Sequence, residues 1–165
     1  MDETLALADH ATSLEAVYRA DAARLWRALV AYAGDADLAS DAVAEAYAQA
    51  LRRGAAIHDP AAWTWRAAFR IAAGSLKTRH SVELRPLSMT GGPEPARPDR
   101  YVDADLQAAL HQLPDAQRAA VILFYYADLP VRDIAARLGS NALAVRANLS
   151  RGRRRLQQLL GDDHG

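Results

Sequence analysis

Between Asn141 and Leu160 the chain carries five arginines (Arg146, Arg151, Arg153, Arg154 and Arg155) and no acid. Arginine is always charged and presents a planar fork of donors, which suits phosphate oxygens and the guanine edge. At helical spacing, Arg146, Ser150, Arg153 and Gln157 follow one another at four, three and four residues, so they form one solvent-facing stripe. An ordinary helical hairpin would explain Arg153 to Arg155 as complements to the negative end of the helix dipole. It does not explain Arg146, which stands near the positive end. Nucleic-acid binding is the preferred reading.

Two further clusters could bind. Trp63, Arg66, Arg70 and Lys77 fall within about 60° of one another on a helix. An indole interleaved with cations suits stacking on unpaired bases and contact with phosphate. The alternative is a solvated basic face with a half-covered tryptophan, and this helix alone favours that alternative. Asp37, Asp41 and Glu45 repeat every four residues and make an acidic row, a candidate docking face for a basic partner. Such like-charge neighbours cost a few tenths of a kcal/mol each, about what i, i+4 pairs are worth. Asp37 and Asp41 recover part of that from the helix N-terminus.

Catalysis has little to work with. The five histidines (His10, His58, His80, His111, His164) are scattered, and no phosphate-cradling glycine motif or metal-ligand spacing is present. The absence of cysteine removes disulfides, thiolate metal sites and a cysteine nucleophile. Neither an enzyme, nor a metal, nor a cofactor is expected.

These side chains need helices to hold them. The chain has 165 residues, 51% of them hydrophobic and only 7% aromatic, and twenty basic residues cancel twenty acidic ones. With 38 alanines, helices that pack closely are favoured, since alanine loses no side-chain entropy in a helix. Zero net charge argues against coating nucleic acid through bulk charge. No apolar run reaches the roughly 20 residues of a membrane span, and the acidic start lacks the features of a signal peptide. A cytoplasmic chain without membrane insertion is expected.

Leu14, Val17, Tyr18, Leu25 and Leu29 mark a first helix, closed by Gly34-Asp35. A second runs from about Asp37 to Arg53, with Val43, Ala46, Tyr47, Ala50 and Leu51 facing inward and Gly54 at its end. A third opens on Asp59-Pro60 and buries Trp65, Phe69, Ala72 and Leu76. From Ser81 to Ala104 six prolines and glycines interrupt any period, which predicts a linker and two independently moving blocks. Beyond it, Leu106 to Leu113 and Val121 to Tyr125 predict two helices. Val131 to Leu160 then reads as a helix-turn-helix, with Ala135 at the crossing, Gly139 in the turn and Val145 as the anchor of a helix capped by Asn141.

The residues resemble one known family, the extracytoplasmic-function sigma factors of bacterial RNA polymerase, over roughly Leu14–His80 and Leu106–Leu160. Ala39-Ser40-Asp41-Ala42-Val43-Ala44-Glu45-Ala46-Tyr47 after Gly34-Asp35 is similar to region 2.2. Phe69-Arg70-Ile71-Ala72 resembles the core of regions 2.3 and 2.4. Leu113-Pro114 with Arg118, then Asp133-Ile134-Ala135, Leu138-Gly139 and Leu149-Ser150-Arg151-Gly152-Arg153, resemble region 4. Two departures stand out: Ala44 replaces a usual glutamine, and Leu143-Ala144 stands where the family commonly has Gly-Thr.

The resemblance implies an all-α protein of two small helical domains joined by a flexible linker, the second containing the helix-turn-helix. Residues 1–80 would be the region 2-like domain, 81–104 the linker and 105–165 the region 4-like domain. Asp37, Asp41 and Glu45 would face the clamp helices of the largest subunit of core RNA polymerase. Trp63, Arg66, Arg70 and Lys77 would lie near the melted −10 element of promoter DNA. Arg146, Asn148, Ser150, Arg151, Arg153 and Arg154 would face the −35 element. An anti-sigma factor is a further partner the resemblance implies. The competing readings are a helix-turn-helix regulator that works without polymerase and a pure interaction protein.

Overall fold

The computed structural model describes residues 2–83 and 103–161, and helices account for nearly all of them. Helix α1 spans Asp2–Ala33, α2 spans Ala36–Arg53 and α3 spans Pro60–Glu83. Their ends follow from local chemistry. The Gly34 N–H closes α1 on the Val30 carbonyl at 2.7 Å, and the Asp35 carboxylate then accepts from the Leu38 N–H at 3.0 Å to start α2. A single 3-10 turn, Gly54–Ala56, follows α2. Asp59 accepts from the Ala62 N–H at 3.1 Å and Pro60 opens α3, where a missing N–H costs nothing.

Alanine lets these three helices approach. Ala39, Ala42, Ala46 and Ala50 line the inner face of α2, against Ala28 and Ala31 of α1 and Ala68 and Ala72 of α3, all buried. The aromatic weight sits beneath them. Trp65 is fully buried, donates its indole N–H to the Asp21 carboxylate and stacks on Phe69, which meets Tyr32 edge-on at 5.1 Å. Truncating such a buried aromatic typically costs about 3–5 kcal/mol.

The second block contains α4 (Ala104–His111), α5 (Asp115–Val121), α6 (Val131–Leu138) and α7 (Ala142–Gly161). A π-helical segment, Ile122–Tyr126, prolongs α5 and buries Ile122 and Leu123. Gly139 adopts φ 65° after α6, which lets the Ser140 N–H reach back to the Ala135 carbonyl at 2.8 Å and turns the chain. Asn141 caps α7 by accepting from the Ala144 N–H at 2.9 Å. Gly152 sits against α5, where a Cβ would lie 2.7 Å from Val121 Cγ2, so only glycine permits this approach.

The expected inner faces of α1 to α3 hold except that Tyr18 and Leu51 are 51% and 57% exposed and Val17 and Leu76 are only partly buried. Leu51 stands one residue beyond the Ala46-Tyr47-Ala50 stripe and so turns outward. The expected linker lies mostly outside the described residues, although Ser81 to Glu83 continue α3 and Ala104 opens α4.

The two blocks are in contact. They share one core, in which α3 packs on α6, and α1 on α4 and the π segment. Arg24 Nε donates to the Ala127 carbonyl at 3.0 Å, Gln107 Nε2 to the Ala31 carbonyl at 2.8 Å, and Arg66 Nη2 to the Ala136 carbonyl at 3.1 Å. The buried Arg118 guanidinium lies 4.4 Å over the Tyr32 ring, and Arg137 lies 5.3 Å over Trp65. Apolar periodicity identifies which face of a helix is covered but not what covers it.

Candidate nucleic-acid and partner interface

Helix α7 is built to show its arginines. Val145, Leu149 and Gly152 are buried against α5 and α6, which commits the opposite side to solvent. Arg146, Ser150, Arg151, Arg153 and Arg154 are all exposed there. Asn148 is half-buried at the flank of this face. Arg153 is tethered, since its Nη1 donates to the Tyr125 hydroxyl at 2.9 Å. Arg146 lies within the first two turns, close to four backbone N–H groups that the helix leaves without intrahelical partners. A cation there gains nothing from the fold and remains available to an anion outside it.

Leu143 completes this surface. It is 78% exposed in the first turn of α7, and its exposure follows from projecting opposite the buried stripe.

The basic stripe of α3 is divided. Arg70 and Lys77 are exposed, and Trp63 is half-buried with the Arg53 guanidinium 5.9 Å from its ring centroid. Arg66 is engaged in the seam between the blocks, where its side chain also runs along Gly139. A Cβ at Gly139 would stand 3.2 Å from Arg66 Cδ and Nε, so the turn glycine also makes room for this arginine. The four residues therefore share a helix face without sharing an environment.

The acidic row lies along an open groove between α2 and α3. Asp37, Asp41 and Glu45 line it with Leu38, Ala42, Ala44, Ala48, Ile71, Ser75 and Arg79. A second groove runs along the other side of α2, lined by Tyr18, Arg19, Ala22, Ala23, Trp26, Ser40, Val43 and Ala44. The exposed ridge of α2 thus stands between two channels, one rimmed by carboxylates and one by aromatic rings. The Gln49 amide and the Arg52 guanidinium, the latter 3.0 Å away, hold the Glu45 carboxyl below its ordinary value. The pair is solvent-exposed and easily exchanged for another cation. At the head of the groove, burial pushes the Asp35 carboxyl up, but the Leu38 N–H and Arg79 outweigh it and the net shift is downward. Arg79 Nη1 is 2.6 Å from that carboxylate and ties α3 to the start of α2.

The seam residues Arg24, Arg118 and Arg137 and the aromatic rim Tyr18 and Trp26 were not expected as a set. Nothing in their spacing marks them, because their partners lie on other helices. Among the described residues no three histidine, aspartate or glutamate side chains come together as a metal site, and no helix is long and apolar enough to cross a membrane.

Comparison with known proteins gives these features a context. Residues 103–156 match the family model described as Sigma-70, region 4. The ECF RNA polymerase sigma factor SigE of Mycolicibacterium smegmatis is 43% identical over 68 residues, which are 41% of this chain and 26% of that protein. The chain thus matches about a quarter of that relative's length. The RNA polymerase sigma factor SigV of Bacillus subtilis is 26% identical over 129 residues, 76% of this chain and 78% of SigV. The fold is similar to the sigma factor RpoE from Bartonella quintana, solved in complex with the anti-sigma factor NepR. That match has a TM-score of 0.65 and 23% identity, covering 93% of this chain and 97% of the other. It is also similar to CnrH, solved in complex with the cytosolic domain of CnrY, with a TM-score of 0.64 and 18% identity over 97% and 95% of the two chains.

Proposed function

We propose that the chain is an extracytoplasmic-function sigma factor, which binds core RNA polymerase and directs initiation at specific promoters. The observation that carries the reading is α7, a fully built second helix of a helix-turn-helix whose outer face holds exposed polar and basic side chains with no acid among them. Region 4, residues 105–165, contacts the −35 element through Arg146, Ser150, Arg151, Arg153 and Arg154, with Asn148 at the edge of the contact. Region 2, residues 1–80, contacts the −10 element through Trp63, Arg70 and Lys77. Arg66 joins that contact only when the seam opens, because its guanidinium is bonded to the Ala136 carbonyl. The segment 81–104 connects the two regions.

Asp37, Asp41 and Glu45 dock the clamp helices of the largest polymerase subunit, and the ridge of α2 between its two grooves suits a helical partner with a basic flank. The protein works in the cytoplasm, supplies no catalysis of its own and leaves the chemistry to polymerase. An anti-sigma factor holds it when idle. This last assignment is supported by the complex in which RpoE was solved with the anti-sigma factor NepR.

Transcription in vitro with core polymerase on a fragment library tests the whole reading: the protein should select a small promoter set. The double variant Asp41→Lys, Glu45→Lys should keep its helical signal and lose core binding in a pull-down. Undiminished binding by the folded variant would refute the docking face, and stable promoter binding without polymerase would favour a free-standing regulator.

A further inference from the structure

Leu143 is the most exposed large hydrophobic residue among those described, at 78%. A lone exposed leucine is ordinary on a protein surface. This one is unusual in its place. Taking Leu143 as the origin at 100° per residue, Gly152, Val145 and Leu149 lie at about 180°, 200° and 240°. These three are the buried residues of α7. Leu143 therefore occupies the outer pole of the helix, with Ser150 below it near the same line and Arg146 about 60° to one side. Its neighbours Ala142, Ala144 and Ala147 are short, so Leu143 projects beyond them in the first turns of α7.

In this motif the N-terminal residues of the second helix enter the major groove. The methyl carbon that base edges display there is the C5-methyl of thymine. We propose that Leu143 is a specificity-determining residue that packs on a thymine methyl in the −35 element, beside the base or phosphate contacted by Arg146. The proposal rests on the reading of α7 as the promoter-contacting helix. The outer face of α7 argues for DNA as its occupant, since Leu143 stands at the head of a face that carries the exposed Arg146, Arg151 and Arg154 and no acid, which suits a polyanion that also carries an apolar group.

The test uses a promoter selected from a random library by core polymerase with the full-length protein. Each thymine of its upstream element is replaced in turn by deoxyuridine, which removes one methyl group and leaves the pairing and charge unchanged. Initiation by the wild-type protein should fall about three- to fivefold at one position, the worth of burying about one methyl. The Leu143→Ala protein, with an unchanged melting temperature, should be indifferent to that replacement. A selected element without thymine, or wild-type initiation unaffected by every replacement while Arg146→Ala still abolishes the upstream preference, overturns the assignment and leaves the reading of α7 intact. Initiation unaffected by scrambling the whole upstream element removes both. If Leu143→Ala instead lowers affinity for core polymerase alone, the residue makes a protein contact and the proposal is wrong.

Discussion

Helices α3 and α7 each carry cations at helical spacing opposite a buried apolar stripe, yet the fold treats them differently. On α7 the stripe is exposed from Arg146 to Arg154, with Arg153 alone tied, to the Tyr125 hydroxyl of its own block. On α3 it is broken at Arg66, which is bonded into the seam, and at Trp63, which is half-buried. The difference lies in what packs opposite. Among the described residues no other helix covers the outer face of α7, whereas α6 lies across α3 and captures Arg66 with a carbonyl at its C-terminal end. A carbonyl near a helix C-terminus lacks an intrahelical donor, and a guanidinium there also meets the negative end of the dipole. A basic stripe is therefore a reading surface only where the fold leaves it uncovered.

The largest effect should come from the open stripe. Arg146→Ala should cost about 1–3 kcal/mol in promoter recognition and relax preference at one position if the side chain reads a base. If it touches only phosphate, the loss should be similar for all sequences and the salt slope should fall by about one. Transcription on the selected library at two salt concentrations separates these outcomes. Wild-type output from every promoter would break the comparison at its stronger side.

On the divided stripe, neighbouring arginines should behave differently. Arg66→Ala removes a charge-assisted bond across the seam and should lower stability by about 1 kcal/mol, below the usual range because the group is exposed. Arg70→Ala, one turn along and exposed without a seam contact, should leave the midpoint of urea denaturation within about 0.5 kcal/mol of wild type. With polymerase and promoter the order should reverse, Arg70→Ala giving the larger loss of open complex. Equal urea midpoints for the two variants would mean that Arg66 does not hold the blocks together.

Local chemistry made most of the helices readable before any packing was known. Asp59-Pro60, Gly34, Gly54, Gly139 and Asn141 act through bonds to near neighbours, so residue type and position suffice to place them. The open face of α7 was readable for a related reason, because a helix with one apolar stripe has one possible outer side. The π segment was not, since Ile122–Tyr126 has the composition of an ordinary buried helix. Nor was the seam. Arg118 entered as one residue of a resemblance to region 4, and its burial over Tyr32 depends on two helices that the sequence does not bring together.

The smallest expected effect tests the seam from its titratable side. His111 on α4 meets Gln107 on its own helix, Arg118 on α5, which is itself paired with Asp115, and the turn at Gly34 that ends α1. Its Nδ1 accepts from Arg118 Nη1 at 3.2 Å, which a protonated ring cannot do at that nitrogen. Loss of water and the Arg118 charge both hold the imidazole below its ordinary value of 6.5. The unfolded chain therefore takes up this proton first as pH falls. The contribution of His111 is fully present above about pH 6.5 and is lost progressively below it, until the folded state is protonated as well. Asp35, also shifted downward, titrates at lower pH and does not enter this window. Urea denaturation at pH 7.5, 6.5 and 5.5 should show the wild-type midpoint falling more steeply than that of His111→Gln, which keeps a polar side chain but has nothing to titrate. Parallel slopes for the two proteins would show that the imidazole gains its proton without disturbing the seam, and Arg118 would then be held by Asp115 and the Tyr32 ring alone.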